Sequence, residues 1–435
     1  MRKKTNIYLA VFTGLFIVCV VAVICFQKPI ESFILDDRVV TKMNPAGQIG
    51  IVVNPAPANY KEFFDKVHNY SEIPHYNSQS QEPFQIDLRS LDVSKLDATG
   101  RTSDLLFADF DSCTIWPQKL PAGFEPDKLM NDGKNPGLGV RALQTQGITG
   151  KGIGIAIIDQ ELLTTHQEFA KQLRSYEMIH CFTGDNNSAS MHGPAVASIA
   201  VGKSVGVAPD ADLFYIAATF GNVKKGGDFK DDFEYDCAPL AQSIEHILDM
   251  NKLKQVNGEI RVISISWGPS ANVKNYSLYS KAIERAKKEN VLVITTSMRD
   301  IYGIGFTGLD RKPYSSADDA NSFIPGSWLQ KGYYNDPNAD WLQNDVWLPM
   351  GNRTTASPTG NTDYVYYANG GYSWVAPYLA GLYALACQVN PNVTPDLFLK
   401  TIMKTGEYTT HTHDGKQYKL GPIANPQKLI EALRK

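Results

Sequence analysis

The sequence predicts an α/β protein: a parallel sheet with helices on both faces, preceded by one transmembrane helix and a small extension. Two observations predict the sheet and the helix. From about residue 136 onward, short uncharged apolar runs alternate with segments of helical period. Close behind the N-terminus, Ile7 to Phe26 runs for 20 residues without a charge. A third observation bounds the class. Of 435 residues, 43% are hydrophobic and 20% charged, which excludes wholesale disorder and collagen-like or coiled-coil chains. The net charge of −3 excludes an electrostatic nucleic-acid binder.

The apolar run is long enough to span a bilayer core of about 30 Å. Arg2, Lys3 and Lys4 precede it and favour a cytoplasmic N-terminus. Its exit, Val23-Ile24-Cys25-Phe26-Gln27, offers nothing small at the spacing of a cleavage site, so an uncleaved signal anchor is favoured over a cleaved signal. The expected topology is a cytoplasmic stub at 1–6, a signal anchor at 7–26 and the rest outside the cell membrane. Cys19 and Cys25 fall within the run as small hydrophobes. Cys113, Cys181, Cys237 and Cys387 show no metal-ligand spacing, and whether two of them form a disulfide is open.

Residues 27–135 read as a stalk and N-terminal extension, either a propeptide or a permanent domain. Within it Ile86, Leu91 and Leu96 stand five apart, each followed by an aspartate: Asp87, Asp92 and Asp97. That spacing can mark a pentapeptide coil. Three units are too few to stand alone, and a strand–turn piece or chance recurrence is the simpler reading. Residues 136–435 form the main domain. Its first helix begins at Gly139 and ends near Gly147. Strands are expected at Gly152–Ile158, Leu213–Ala218, Val262–Ile265 and Val291–Ile294, and helices at Leu240–Leu253, Ser280–Asn290 and Trp374–Val389. The stretch 299–349, rich in Gly, Pro, Asn, Asp and Trp, reads as a loop-rich insertion.

Three short segments carry candidate chemistry. Asp159 ends the first buried run, where an aspartate more often caps a turn or helix. His192 stands before Gly193-Pro194 and a small-residue helix, where a lone histidine is more often structural. Ser373 follows Gly370-Gly371-Tyr372 and opens an apolar helix, where a serine more often serves as an N-cap. At a helix N-terminus, however, both a hydroxyl and a backbone N–H meet the positive end of the dipole.

In the order Asp, His, Ser, these segments resemble the subtilisin-like serine proteases (peptidase S8) of the membrane-anchored bacterial type, over about residues 136–430. Gly150 to Asp159 looks like the first block of that family. His192-Gly193-Pro194 looks like its His-Gly-Thr block, followed closely by Val205 to Leu213. Val262 to Gly268 resembles its substrate-side strand, and Ser373 with Ala376-Pro377 falls on its nucleophile motif. The resemblance implies a serine endopeptidase acting on protein or peptide substrates through Asp159, His192 and Ser373. Ser266, Trp267 and Gly268 would lie along the substrate. The chemistry needs no cofactor. Calcium is common in the family, but no carboxylate-rich ligand loop supports it here.

The departures are specific. Gln160-Glu161 follows Asp159, Pro194 replaces Thr, and Tyr372, Trp374 and Val375 surround the nucleophile. Met298 stands where the family places its oxyanion Asn. Loss of one such donor costs about 10²–10³ in kcat. Ser297 and Arg299 are the neighbouring candidates for its replacement. A catalytically silent subtilase-fold binding module would explain these departures. Retention of all three candidate residues argues against it.

Overall fold

The computed structural model describes residues 39–61, 68, 70–80, 82–182, 187–223, 233–253, 258–339, 342 and 344–434. The expected membrane segment at 7–26 lies outside the described residues. No helix among the described residues is long and apolar enough to cross a membrane.

In chain order the extension contributes β1 (Val39–Lys42), α1 (Thr102–Leu105), β2 (Phe110–Asp111) and α2 (Pro126–Asp132). There follow α3 (Val140–Thr145), β3 (Ile153–Asp159), β4 (Leu173–Phe182), α4 (His192–Val201) and β5 (Asp212–Ala218). A short hairpin, β6 (Gly221–Val223) and β7 (Phe233–Tyr235), leads to α5 (Ala238–Lys252), β8 (Glu259–Ile265), α6 (Tyr276–Lys288) and β9 (Leu292–Ile294). Beyond these lie α7 (Met298–Tyr302), β10 (Gly305–Arg311), β11 (Phe323–Pro325), α8 (Gln330–Asn335), β12 (Asp345–Gly351), β13 (Arg353–Ala356) and β14 (Tyr364–Tyr367). The chain closes with α9 (Tyr372–Val389), α10 (Pro395–Thr405), β15 (Glu407–His413), β16 (Lys416–Ile423) and α11 (Pro426–Leu433).

The main sheet has the order β1-β4-β5-β3-β8-β9, parallel throughout except for the antiparallel edge strand β1. Buried strands alternate their side chains between two helical layers, as the pleat requires. Ile155 and Ile157 of β3 face a core shared with α4 and α9. Ala156 and Ile158 face the opposite core, shared with α5 and α6. The chain first lays β4 and then β5 on one side of β3, with β5 between β3 and β4, and then returns to the other side with β8 and β9. β3 is therefore a topological switch point, and its C-terminal end is where such sheets open a crevice. Gly381 lets α9 sit against the loop between α4 and β5: a Cβ there would stand 2.5 Å from Val207 Cβ.

The stretch 299–349, expected as a loop-rich insertion, instead supplies strands of a second sheet, ordered β11-β10-β12-β16-β15. Every residue of β10 and β12 is buried. The glycines that suggested loops are packing positions here. A Cβ on Gly308 would stand 2.2 Å from Met350 Sδ.

The five-residue spacing in the extension proves to be a coil. Asp87, Asp92 and Asp97 each accept a hydrogen bond from the backbone N–H two residues on, at 3.2, 3.0 and 2.8 Å. Leu91, Leu96 and Arg101 close turns on the carbonyls three residues back. Parallel bridges join Asp87 to Asp109 and Asp92 to Ile115, one coil turn apart. Ile86, Leu88, Leu91, Val93 and Phe110 point into the main core.

Candidate active site

Asp159 ends β3 at the switch point, and His192 begins α4 across the crevice. His192 Nδ1 lies 2.6 Å from Asp159 Oδ1, and both side chains are buried. The N–H of Gln160 also donates to Asp159 Oδ1, at 2.8 Å. The approach of α4 requires Gly193, whose Cβ would fall 2.5 Å from the carbonyl oxygen of Glu161. Ser190 fixes the turn before the helix. Its N–H and Oγ both donate to Glu161 O, and its Oγ accepts from Gly193 N. Pro194 falls in the first turn of α4, where its missing N–H costs nothing.

Ser373 is the second residue of α9, so its backbone N–H is one of the first-turn donors without a partner inside the helix. Its carbonyl accepts from Ser266 Oγ at 3.1 Å, which ties the end of β8 to the start of α9. Trp374 lies against His192, with ring centroids 5.1 Å apart. Asp159 and His192 are thus joined by a hydrogen bond, and Trp374, the neighbour of Ser373, packs on His192. Among the described residues, Ser373 Oγ makes no hydrogen bond to His192. Catalytic hydrogen bonds are often loose without substrate. Tyr372 turns away from the crevice, edge-on to Phe306 and Trp328.

Glu161, the extra carboxylate near Asp159, turns to Cys181, whose thiol donates to its Oε1 at 3.2 Å. Burial raises the Glu161 carboxyl above the ordinary range.

The strand end expected on the substrate side packs through Trp267 and Gly268. Trp267 is sandwiched between Phe220 and Tyr235, at centroid distances of 5.1 and 5.5 Å. Nothing in the spacing of these three aromatics foretold that they would stack. Gly268 abuts Ser297. A Cβ on Gly268 would stand 2.4 Å from Ser297 N. Gly268→Ala should therefore destabilise the protein by about 1–3 kcal/mol through overpacking and displace Ser297. Thermal unfolding together with peptide turnover checks both effects.

The oxyanion candidates sit at the start of α7. Met298 is 1% exposed and belongs to the main core. Ser297 Oγ is 3.5 Å from Pro269 O and 3.4 Å from Thr295 Oγ1. The Arg299 guanidinium is engaged by the buried carboxylate of Asp345 through both Nε and Nη2. Burial pushes Asp345 up to about 6, with Arg299 opposing. Asp345 is a partner that no spacing in the sequence signalled.

Asp310, at the end of β10, flanks the nucleophile segment. Its Oδ2 accepts from Ser327 N at 2.7 Å, and Ser327 Oγ reaches Asn369 Oδ1 at 3.0 Å. Burial pushes Asp310 up to about 7. Its folded value thus lies above its unfolded one. Between about pH 4 and 7 the folded state holds a proton that the unfolded state has released, so this group's contribution to stability falls as pH rises, by up to about 1.4 kcal/mol per pH unit. Asp310→Asn should remove that slope. Unfolding free energies measured from pH 4 to 8 should show the variant gaining on the wild type up to about pH 7 and levelling off above it.

Among the described residues, Cys113, Cys181, Cys237 and Cys387 are unpaired thiols, and no group of three or more His, Cys, Asp or Glu side chains is gathered to hold a metal ion.

Comparison with known proteins places a match to the Subtilase family model (Peptidase S8) at residues 150–297. The subtilisin-like protease PopC of Myxococcus xanthus is 22% identical over 298 residues, which cover 63% of this chain. The match spans 60% of that relative's length. Similar solved structures include the prenylagaramide maturation protease PagA, at 17% identity and a TM-score of 0.44, covering 68% of this chain and 98% of that one. MycP1 with its N-terminal propeptide removed is 18% identical with a TM-score of 0.43, covering 69% of this chain and 98% of that one.

Proposed function

We propose that this chain, which carries a peptidase S8 subtilase domain, is a serine endopeptidase working through Asp159, His192 and Ser373. The observation that carries the reading is the 2.6 Å contact between Asp159 Oδ1 and His192 Nδ1 at the sheet's switch point, facing the start of α9. Asp159 holds the imidazole in the tautomer that leaves Nε2 free to accept a proton, and it stabilises the imidazolium that results. Ser373 Oγ gives up its proton to His192 and attacks the peptide carbonyl. The first-turn N–H of Ser373 faces the charge that develops on the carbonyl oxygen. The protonated His192 then donates to the leaving amine, and water releases the acyl group by the same steps in reverse. No cofactor enters.

Substrate lies along Ser266, Trp267 and Gly268, with Ser297 and Arg299 as candidates for the second oxyanion donor. The run at 7–26 anchors the protein in the cell membrane, with the catalytic domain on the extracellular side. A C-terminus shielded from external protease in intact cells would overturn that topology.

A fluorophosphonate probe tests the activity. It should label Ser373 in the wild type and leave Ser373→Ala unlabelled. The second reading, a silent binding module of the same fold, draws on the buried Met298 and on the missing hydrogen bond between Ser373 and His192. Folded wild-type protein that takes no label and cleaves no peptide would establish that reading instead.

A further inference from the structure

The extension reaches the nucleophile segment itself. β2 adds a third strand to β13-β14, pairing Asp111 with Val365 and Phe110 with Tyr366. The contact continues on both sides of the pair. Ser112 N donates to Tyr364 O at 2.9 Å, and Tyr364 N donates back to Ser112 Oγ at 2.8 Å. Toward the nucleophile the strand pairing stops and a side chain takes over. Asp109 Oδ1 accepts from Ala368 N at 2.8 Å and from Asn369 N at 3.4 Å. Asp109 is fully buried. Three residues separate Asn369 from Ser373, Gly370 and Gly371 among them, and Trp328 Nε1 holds the Gly370 carbonyl from the other side at 2.9 Å.

A second line runs in parallel. Arg89, buried and paired with Asp87, donates from Nη1 to Tyr367 OH at 3.1 Å. The Tyr367 ring lies 5.2 Å from that of Trp374, which in turn rests on His192. Phe110 stacks on Tyr366 at 5.0 Å. Removing the extension would uncover these aromatic faces and leave the N–H groups of Ala368 and Asn369 without partners.

We propose that the coil of residues 86–116 is a permanent part of the catalytic domain rather than a propeptide that departs, and that Asp109 is a positioning residue that fixes the backbone leading to Ser373. The positioning role rests on the reading of Ser373 as nucleophile; the permanence does not. Burial raises Asp109 well above the carboxylate range. Charged or neutral, the group keeps an oxygen that accepts both N–H bonds, and an asparagine supplies the same acceptor.

Two experiments on the full-length protein test this. A specific protease site inserted at 118–119, in an exposed turn after the coil, splits the chain. The N-terminal piece should stay with the body through native gel filtration and part from it only in denaturant. A piece that departs while the body remains folded and reactive overturns the permanence.

In Asp109→Ala, hydrogen exchange at the amides of Ala368 and Asn369 should accelerate, and fluorophosphonate labelling of Ser373 should slow, each by about tenfold or more. Asp109→Asn should recover both. Unchanged exchange and labelling in Asp109→Ala would overturn the positioning role. So would an asparagine variant as impaired as the alanine one. If wild-type Ser373 takes no label, the protease reading fails, while the exchange rates and the split chain still decide the clamp. Should Asp109→Ala not fold, Asp109→Asn and the split chain carry the test.

Discussion

Ser373→Ala and His192→Ala should each lower peptide turnover by about 10⁶, and the double variant should be little worse than either. In the proposed mechanism the two side chains share one proton transfer, so removing the acceptor should leave the hydroxyl as inert as removing the hydroxyl itself. What survives is binding and the electrostatics of the α9 N-terminus, worth about 10³–10⁴ over water. Single-turnover assays on a fluorogenic peptide measure the effect, with thermal unfolding as a control for the fold. Losses that multiply in the double variant would mean that the two residues act separately, contrary to the mechanism.

Asp159→Asn should cost about 10⁴ in kcat with little change in the fold. The carboxylate now accepts from His192 Nδ1 at 2.6 Å. An amide nitrogen in its place donates to Nδ1, moves the imidazole proton to Nε2 and leaves Ser373 without a base. The N–H of Gln160 donates to the same oxygen, Asp159 Oδ1, so the amide nitrogen that faces His192 gives up that one backbone hydrogen bond and leaves the rest of the fold in place. A variant of wild-type rate would show that another group orients His192. Glu161 is the nearest acid by sequence, but it faces Cys181.

The central strands were legible because β3 and β5 are buried on both faces and read as apolar runs, and β8 reads so from Val262 onward apart from Ser264. β4 is buried almost as deeply but carries polar groups that hide it. Ser175 and Glu177 lie within it, and Glu177 is matched by His246 at 3.0 Å and by Asn44 N. A sequence shows the charge of Glu177 and not its partners. β10 was missed for a related reason: Thr307, Asp310 and Arg311 are buried there against partners distant in the chain, Tyr372, Ser327, Asp132 and Asn352, and two glycines accommodate close neighbours. Asp159, His192 and Ser373 were legible because each sits at an element boundary marked by glycine, proline or the end of an apolar run. Tyr372 and Trp374 were expected to crowd the nucleophile. The structure sends Tyr372 between Phe306 and Trp328 toward the buried Thr307, and Trp374 onto His192, and such directions are set by tertiary packing.

The contact between Asp109 and Ala368 spans 259 positions of the chain. The coil's own bonds are local and can close early, whereas its partner strand is made much later. At about 5–20 residues per second, the delay between the two is on the order of 10–50 s. Loop closures of this length come late in folding. The backbone before Ser373 is therefore among the last parts to be fixed, so a newborn chain carries Asp159 and His192 well before it can use its serine. The order of synthesis itself places Ser373 after both of the residues proposed to activate it.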